Sequence, residues 1–185
     1  MKKYELTEET VTVYGKTLYR IRAVRDFGSV KTGEFGGYIE KEENLSHFGN
    51  AWVSGNAWVF DNARVYDNAW VFGNAWVSGN AWVFDNAWVC GDAKVYGDAW
   101  VSGNAEVFNT RHFFVQGPIG SRNGFITFYR TKDNTVEVRC GCFSGSLQKF
   151  VDRVEETHGG SRYEKEYKLA AELAKVCIRL EGESR

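Results

Sequence analysis

The sequence predicts a mainly β protein in which a stack of short coils lies between a small N-terminal β cap and a C-terminal α+β domain. A six-residue motif repeats eleven times without insertion over residues 44–109, and all seven tryptophans fall between residues 52 and 100. A repeat of this kind is typical of architectures in which each unit stacks on its neighbours. We therefore expect the cap over residues 1–43, the repeats over residues 44–109 and the C-terminal domain over residues 110–185.

The hexad itself indicates why coils form. Its first position is always Asn or Asp, its second is Ala except at Leu45, and its fourth is Val except at His47. Asn and Asp beside Gly favour turns, and the residues between two turns form a short strand whose side chains alternate between its faces. Ala and Val therefore share the inner face, where small side chains fill a narrow coil and stacked coils make a continuous core.

These hexads, among them NAWVSG, NAWVFD and DAKVYG, resemble the hexapeptide repeats of left-handed parallel β-helices. In that family three hexads make one triangular coil, so the resemblance implies between three and four coils here. At an inter-strand spacing of about 4.8 Å the prism would be about 15 to 18 Å tall, and both of its ends must be covered. The resemblance also implies a homo-oligomer, because such helices commonly associate.

The outward positions of the hexads are rich in aromatic residues, and every third hexad falls on one face. The candidate binding residues form three ladders: Trp52, Trp70 and Trp88 with Phe72; Trp58, Trp76 and Lys94; and Arg64, Trp82 and Trp100. The rings have three alternative explanations. They stack on one another and stabilise the coil, they are covered by a flanking segment or a neighbouring subunit, or they form a platform for planar ligands such as nucleobases. In the last case Arg64 or Lys94 would bind the phosphates.

Both flanks have recognisable elements. In the cap, two strands surround a turn at Tyr14-Gly15-Lys16. In the C-terminal domain, strands are predicted at HFFVQ, GFITFYR and TVEVRCGCF, and Ser146 is expected to begin a helix. Gly159 and Gly160 end that helix, and a capping-box pattern from Ser161 begins a second.

The flanks extend the resemblance. KYELTEETVTVYGKTLYRIRAV before the repeats and GPIGSRNGFITFYRTKDNTVEVRCGCFSG after them look like hexapeptide-repeat proteins common in bacteriophages and prophages. Such proteins are often labelled transferases or polymer-forming proteins because of the repeats. The resemblance implies a phage or prophage origin and supplies no established activity.

Three histidines bear on an enzymatic alternative, since hexapeptide-repeat acyltransferases use a histidine as general base. His112 starts the strand after the repeats and is the candidate if the protein is an acyltransferase. His47 occupies an inward Val position in the first hexad, which favours a buried or capping role. His158 lies at a helix end, where a cation interacts favourably with the helix dipole. The uninterrupted repeat also lacks the extruded loop that often shapes acceptor sites in those enzymes.

Other classes of site and location are not favoured. Cys140 and Cys142 have no supporting pair of ligands, so ordinary packing is expected and no metal or cofactor is predicted. The Gly-rich loop of residues 118–124 matches no phosphate-binding pattern and is explained by a turn. No apolar stretch approaches the about 18 to 20 residues that span a bilayer, and no apolar run follows the first lysines. We expect a cytoplasmic protein with reduced thiols and no membrane partner.

Taken with the resemblance, these features predict a non-enzymatic, phage-type binding protein. A counter-defence factor of this kind would inhibit a host immune effector, such as a CRISPR nuclease or another protein or ribonucleoprotein, by occluding its surface, or would sequester a nucleotide signal. The aromatic ladders would supply the anchors, since Trp, Tyr and Arg dominate binding hot spots. The alternatives are a hexapeptide-repeat acyltransferase and a purely structural oligomeric scaffold.

Overall fold

The structure, a computed structural model, describes residues 2–181. Its first element is an antiparallel hairpin of β1 (Tyr4–Val13) and β2 (Lys16–Ala23). The two turn residues between the strands have positive φ angles, 48° at Tyr14 and 78° at Gly15. Glycine adopts this conformation without strain. The predicted hairpin is confirmed.

Two-residue strands follow the hairpin and a third strand, β3 (Phe35–Ile39). They lie at the centre of each hexad from residue 50 onward: β4 (Trp52–Val53), β5 (Trp58–Val59), β6 (Arg64–Val65), β7 (Trp70–Val71), β8 (Trp76–Val77), β9 (Trp82–Val83), β10 (Trp88–Val89), β11 (Lys94–Val95), β12 (Trp100–Val101) and β13 (Glu106–Val107).

Strands three hexads apart pair in parallel and in register, which gives a solenoid with three faces. We call the sheet of β4, β7, β10 and β13 the first face, that of β3, β5, β8 and β11 the second face, and that of β6, β9 and β12 the third face. The period is 18 residues, as in the hydrogen bond from Asn62 Nδ2 to Asn80 Oδ1 at 3.1 Å. The predicted parallel β-solenoid is confirmed, with about four turns.

The interior of the solenoid consists of the second and fourth hexad positions. Every Ala and Val at these positions, from Ala51 to Val107, is at most 1% exposed. The corners need a left-handed backbone, which Gly or Asp provides, as at Asp85 with φ 57°. The Asp85 carboxylate also accepts a hydrogen bond from the Gly103 N–H at 3.1 Å in the next coil. The corner aspartates therefore stabilise the stacking as well as the turn.

The first hexad, predicted at residues 44–49, is out of register with the others. Leu45 forms a parallel bridge with Val65, and the Ser46 N–H donates to the Val65 carbonyl at 2.9 Å. Leu45 thus takes the place that Val holds in later hexads. In later hexads the inward Val is followed by the next inward Ala four positions on, whereas Ala51 comes six positions after Leu45. Two extra residues therefore lie between them. The prediction of eleven consecutive hexads without insertion is therefore wrong for the first hexad.

The physical reason is that Asn44 replaces a strand residue. Its buried side-chain amide donates to the Ala63 carbonyl at 2.8 Å, a bond that a backbone N–H makes in later coils. His47 consequently lies in the inserted segment and not at an inward Val position. The second face also begins earlier than predicted, because β3 pairs in parallel with β5. Residues 35–39 therefore belong to the first coil and not only to a cap.

The C-terminal domain is an antiparallel sheet of four strands with two helices. Its elements are β14 (Phe113–Ile119), β15 (Gly124–Arg130), β16 (Val136–Cys140), β17 (Phe143–Ser146), α1 (Leu147–His158) and α2 (Arg162–Cys177). Ser146 and Ser161 accept hydrogen bonds from the backbone of the first turns, which confirms both predicted helix starts. The predicted strand TVEVRCGCF is wrong, because a turn at Gly141, with φ 57°, divides it.

The sheet of this domain lies between the helices and the last coil. Ile126 and Phe128 belong to the core shared with the helices. Thr127 and Tyr129, on the other face of β15, contact the solenoid. Thr127 Oγ1 accepts a hydrogen bond from the backbone N–H of Trp100 at 2.9 Å, and the Tyr129 hydroxyl lies 3.3 Å from Ser102 Oγ. The domain thereby covers the C-terminal end of the solenoid.

Neither helix of the described chain is long and apolar enough to cross a membrane.

The corner glycines allow a matched test of the stacking. Gly79 and Gly97 have nearly equal φ angles, 68° and 69°, but a Cβ on Gly79 would lie 2.9 Å from the Gly97 nitrogen, whereas a Cβ on Gly97 meets nothing within 4 Å. We expect Gly97→Ala to lower the free energy of unfolding by about 1 to 2 kcal/mol through backbone strain alone. Gly79→Ala should lower it by at least about 1 kcal/mol more because of the clash. Urea unfolding of both variants measures the difference, and equal losses would contradict the stacked geometry.

Candidate functional site

The ladders lie as predicted from the hexad period. Trp52, Trp70 and Trp88 pair along the first face, as do Trp58, Trp76 and Lys94 along the second and Arg64, Trp82 and Trp100 along the third. Their exposure differs from face to face, so the ladders do not form three equivalent surfaces.

On the first face, the N-terminal end of the ladder is covered by the N-terminal segment of the chain. Trp52 is only 1% exposed, because the rings of Phe27 and Tyr4 lie against it at centroid distances of 5.3 and 6.4 Å. Trp52 therefore belongs to the core and offers no surface to a partner. Trp70 is partly buried, whereas Trp88 is 46% exposed and packs edge-on against Phe72 at 6.0 Å.

On the third face, the aromatic rings stack along the solenoid axis. The Trp82 and Trp100 rings lie 5.3 Å apart with an interplanar angle of 9°, and the Arg64 guanidinium lies over Trp82 at 5.9 Å. In the neighbouring row, Tyr66 and Phe84 stack at 5.0 Å. Stacking between the rings of successive coils, the first of the three explanations, therefore accounts for most of the aromatic residues on this face.

On the second face, the hairpin projects over the ladder and forms a groove of about 440 Å³. Trp58 and Trp76 stack at 4.8 Å, and Lys94 Nζ lies 4.4 Å from the Trp76 ring. Tyr14, at the hairpin tip, is 75% exposed and lies edge-on to Trp76 at 5.9 Å, and Tyr96 is 51% exposed. We call this the hairpin groove. The sequence indicated Tyr14 only as a turn residue, because nothing local shows where a hairpin tip lies.

His112, the candidate general base, is in a structural position. It is 7% exposed; its Nδ1 accepts from the Phe108 N–H at 3.2 Å, and its Nε2 lies 3.0 Å from Asn109 Nδ2. Burial, and then the nearby Arg130 guanidinium, lower the pKa of His112. With both ring nitrogens engaged, His112 is not arranged to deprotonate an acceptor.

The other two histidines lie against tyrosine rings. His47 stacks on Tyr4 at 4.2 Å and accepts from the Lys3 N–H at 3.3 Å, and burial lowers the pKa of His47 although Glu42 opposes this shift. His158 lies 5.6 Å from Tyr167 at the end of α1. His47 thus packs against Tyr4 of β1 and not at the inward Val position that the sequence indicated. His158 lines a cleft that the sequence did not indicate.

This cleft, which we call the end cleft, has a volume of about 930 Å³ and lies where the third face meets the C-terminal domain. Trp100 and Asp98 line it from the last coil, Arg139 from β16, and Arg122 from the loop of residues 118–124. The sequence assigned that loop to a turn alone. The lining residues come from separate segments, so no local pattern could have shown that they meet.

The cysteines and acidic residues show no metal centre. Within residues 2–181, no group of three or more His, Cys, Asp or Glu side chains is placed to hold a metal ion. Cys140 also lines the end cleft, where burial raises the pKa of its thiol and the Tyr167 hydroxyl opposes the shift.

Comparison with known families agrees with the repeat architecture. The family model of the YdcK β-solenoid repeat matches residues 63–79, about one coil of the solenoid. No curated protein matches this sequence. The match supports a repeat β-solenoid and is confined to the repeats, so it assigns no activity to the chain.

The structural role of His112 has a pH signature. Because the folded state holds its pKa below the ordinary value of 6.5, the unfolded chain binds the extra proton and stability falls as the pH decreases through that value. We expect the free energy of unfolding of the wild type to fall between about pH 7 and pH 5, and that of His112→Gln to fall less. Denaturant titrations over this range measure the difference between the two proteins. Parallel curves would show that His112 is not held neutral by the fold.

Proposed function

We propose that this protein is a non-enzymatic, phage-type binding protein that acts as a counter-defence factor in the cytoplasm of a bacterial host. It inhibits an immune effector, such as a CRISPR nuclease, by covering part of the effector's surface; sequestration of a nucleotide signal would serve the same end. The observation that supports a binding role is the hairpin groove, where exposed aromatic rings lie beside Lys94, which forms no ion pair with residues 2–181. The phage connection rests on the resemblance of the repeats and both flanks to phage proteins.

The hairpin groove has the composition of a binding hot spot. Tyr14, Trp76 and Tyr96 are large, rigid side chains, and aromatic residues of this kind contribute most to protein interfaces. The solenoid holds Trp76 in a stack with Trp58, and Phe113 lies against Tyr96 at 5.6 Å. A partner would therefore meet rings that are already ordered, which reduces the entropy lost on binding.

Charge at the hairpin groove favours a partner with acidic groups. Lys94 is exposed and contacts the Trp76 ring, and it forms no ion pair with a carboxylate of the described chain. At the rim, by contrast, Lys16 is paired with Asp61 at 2.8 Å and with Glu40 at 3.1 Å. Lys94 is thus available to a carboxylate of the partner, whereas Lys16 is already engaged by two carboxylates of the chain itself.

Two alternatives receive less support. An acyltransferase requires an accessible base, and His112 is buried with both ring nitrogens engaged. A purely structural scaffold would fill the hairpin groove with a second copy of the chain and would form a homo-oligomer without any other partner. The counter-defence proposal requires no cofactor, and it allows an oligomer.

Phage plaquing tests the proposal directly. Expression of the chain in bacteria that carry an active CRISPR nuclease or a nucleotide-signalling defence should raise the plaquing efficiency of a sensitive phage. The double variant Tyr14→Ala, Tyr96→Ala should lose at least about tenfold of this effect, because hot-spot rings each contribute about 2 kcal/mol or more.

A matched variant on another face serves as the control. Trp88→Ala removes an exposed ring from the first face and should leave plaquing unchanged. Loss of the effect in Trp88→Ala, with retention in the double variant, would move the contact to the first face. No effect of the wild type on plaquing in any such host would refute the counter-defence function.

A further inference from the structure

The end cleft exposes the last ring of an aromatic stack. One face of the Trp100 indole lies on Trp82. β12, which contains Trp100, is the last strand of the third face in the described chain, so no further coil covers the opposite face of the indole. The sheet of the C-terminal domain follows the last coil at this point, and the Thr127 hydroxyl accepts a hydrogen bond from the backbone N–H of Trp100. An aromatic ring placed in the cleft can therefore continue the stack.

Three arginine side chains line the same cleft, and two of them, Arg122 and Arg139, form no ion pair with residues 2–181. Arg139 has its guanidinium 5.2 Å from the Phe84 ring, and its side chain makes no hydrogen bond or ion pair with residues 2–181. Its buried Nε–H is left without an acceptor, which is unfavourable unless a ligand supplies one. Arg122 is exposed at the rim, and Arg153 pairs only with the exposed Glu156 at 3.4 Å.

The cleft also has little negative charge of its own. Asp98 is the carboxylate that lines it among the described residues, and it accepts a hydrogen bond from Asn80 Nδ2 at 3.0 Å. Three arginines therefore face a single aspartate. Guanidinium groups bind phosphate oxygens through paired N–H donors, so the charge and the donor geometry favour a phosphate-bearing anion.

We propose that the end cleft binds a nucleotide, whose base stacks on the free face of Trp100 and whose phosphate is held by the arginines, Arg139 among them. The volume of about 930 Å³ lies within the usual range for small-molecule sites. This site would give the nucleotide-sequestering form of the proposed function its location. It lies on a different face from the hairpin groove, so the two proposals can fail separately.

The site is tested by titrating the full chain with the four ribonucleoside 5′-monophosphates. Tryptophan fluorescence and calorimetry measure the binding. At least one nucleotide should bind, and its nucleoside and inorganic phosphate should each bind at least about tenfold more weakly, because each retains one of the two contacts. Trp100→Ala should weaken binding about 5- to 150-fold through loss of stacking. Arg139→Gln should weaken it about tenfold or more.

Trp88→Ala, which removes an exposed tryptophan from the first face, is the matched control and should bind as the wild type does. Circular dichroism checks that each variant folds; if Trp100→Ala does not, Arg122→Gln at the exposed loop replaces it and should also weaken binding. Absence of binding by all four nucleotides at millimolar concentration would overturn the assignment. The assignment would also be overturned if nucleotide affinity were unchanged both in Arg139→Gln and in whichever of the Trp100→Ala and Arg122→Gln variants is used. Nucleotide binding without any effect on plaquing would uphold this site and refute the counter-defence function.

Discussion

The narrow interior of the solenoid constrains the rest of the molecule. Each coil contributes three pairs of inward Ala and Val, and all of these side chains are at most 1% exposed. Strands pair with strands 18 residues away, so identical positions stack directly above one another. Because larger side chains have no room inside, the tryptophans of the hexads must point outward, where stacking partly shields them from water.

A solenoid also has two open ends, and the flanks cover both. At the N-terminal end the hairpin continues the second face through β3, and Lys3 is buried with its amine donating to the Ala51 carbonyl at 2.6 Å. Burial, and then the charge of Arg25, lower the pKa of Lys3 to about 8. At the other end, Arg130 lies beneath Phe108 and pairs with Glu106 and Glu181. Unpaired strand edges would otherwise remain exposed.

The two candidate surfaces arise where these covers meet the solenoid. The hairpin groove forms because the turn at Tyr14 extends beyond the first coil and over Trp76. The end cleft forms because the C-terminal sheet replaces the next coil and leaves Trp100 partly exposed. Ring stacking therefore has two consequences: it stabilises the coils between the covers, and it leaves ordered rings available at the boundaries. The middle of a long solenoid would offer fewer such sites.

The sequence by itself determined the elements that depend on local order. The hexad period assigned Ala and Val to the interior and placed every ladder on its face, and Ser146 and Ser161 predicted both helix starts. Only the tertiary structure decided which rings are available. Trp52 is covered by Phe27, which lies 25 positions earlier in the chain. Asn44 shifts the first hexad, and Arg139 and Trp100 line one cleft although they belong to different domains. Periodicity reports which face a side chain occupies, whereas its burial depends on segments that are distant in sequence and close in space.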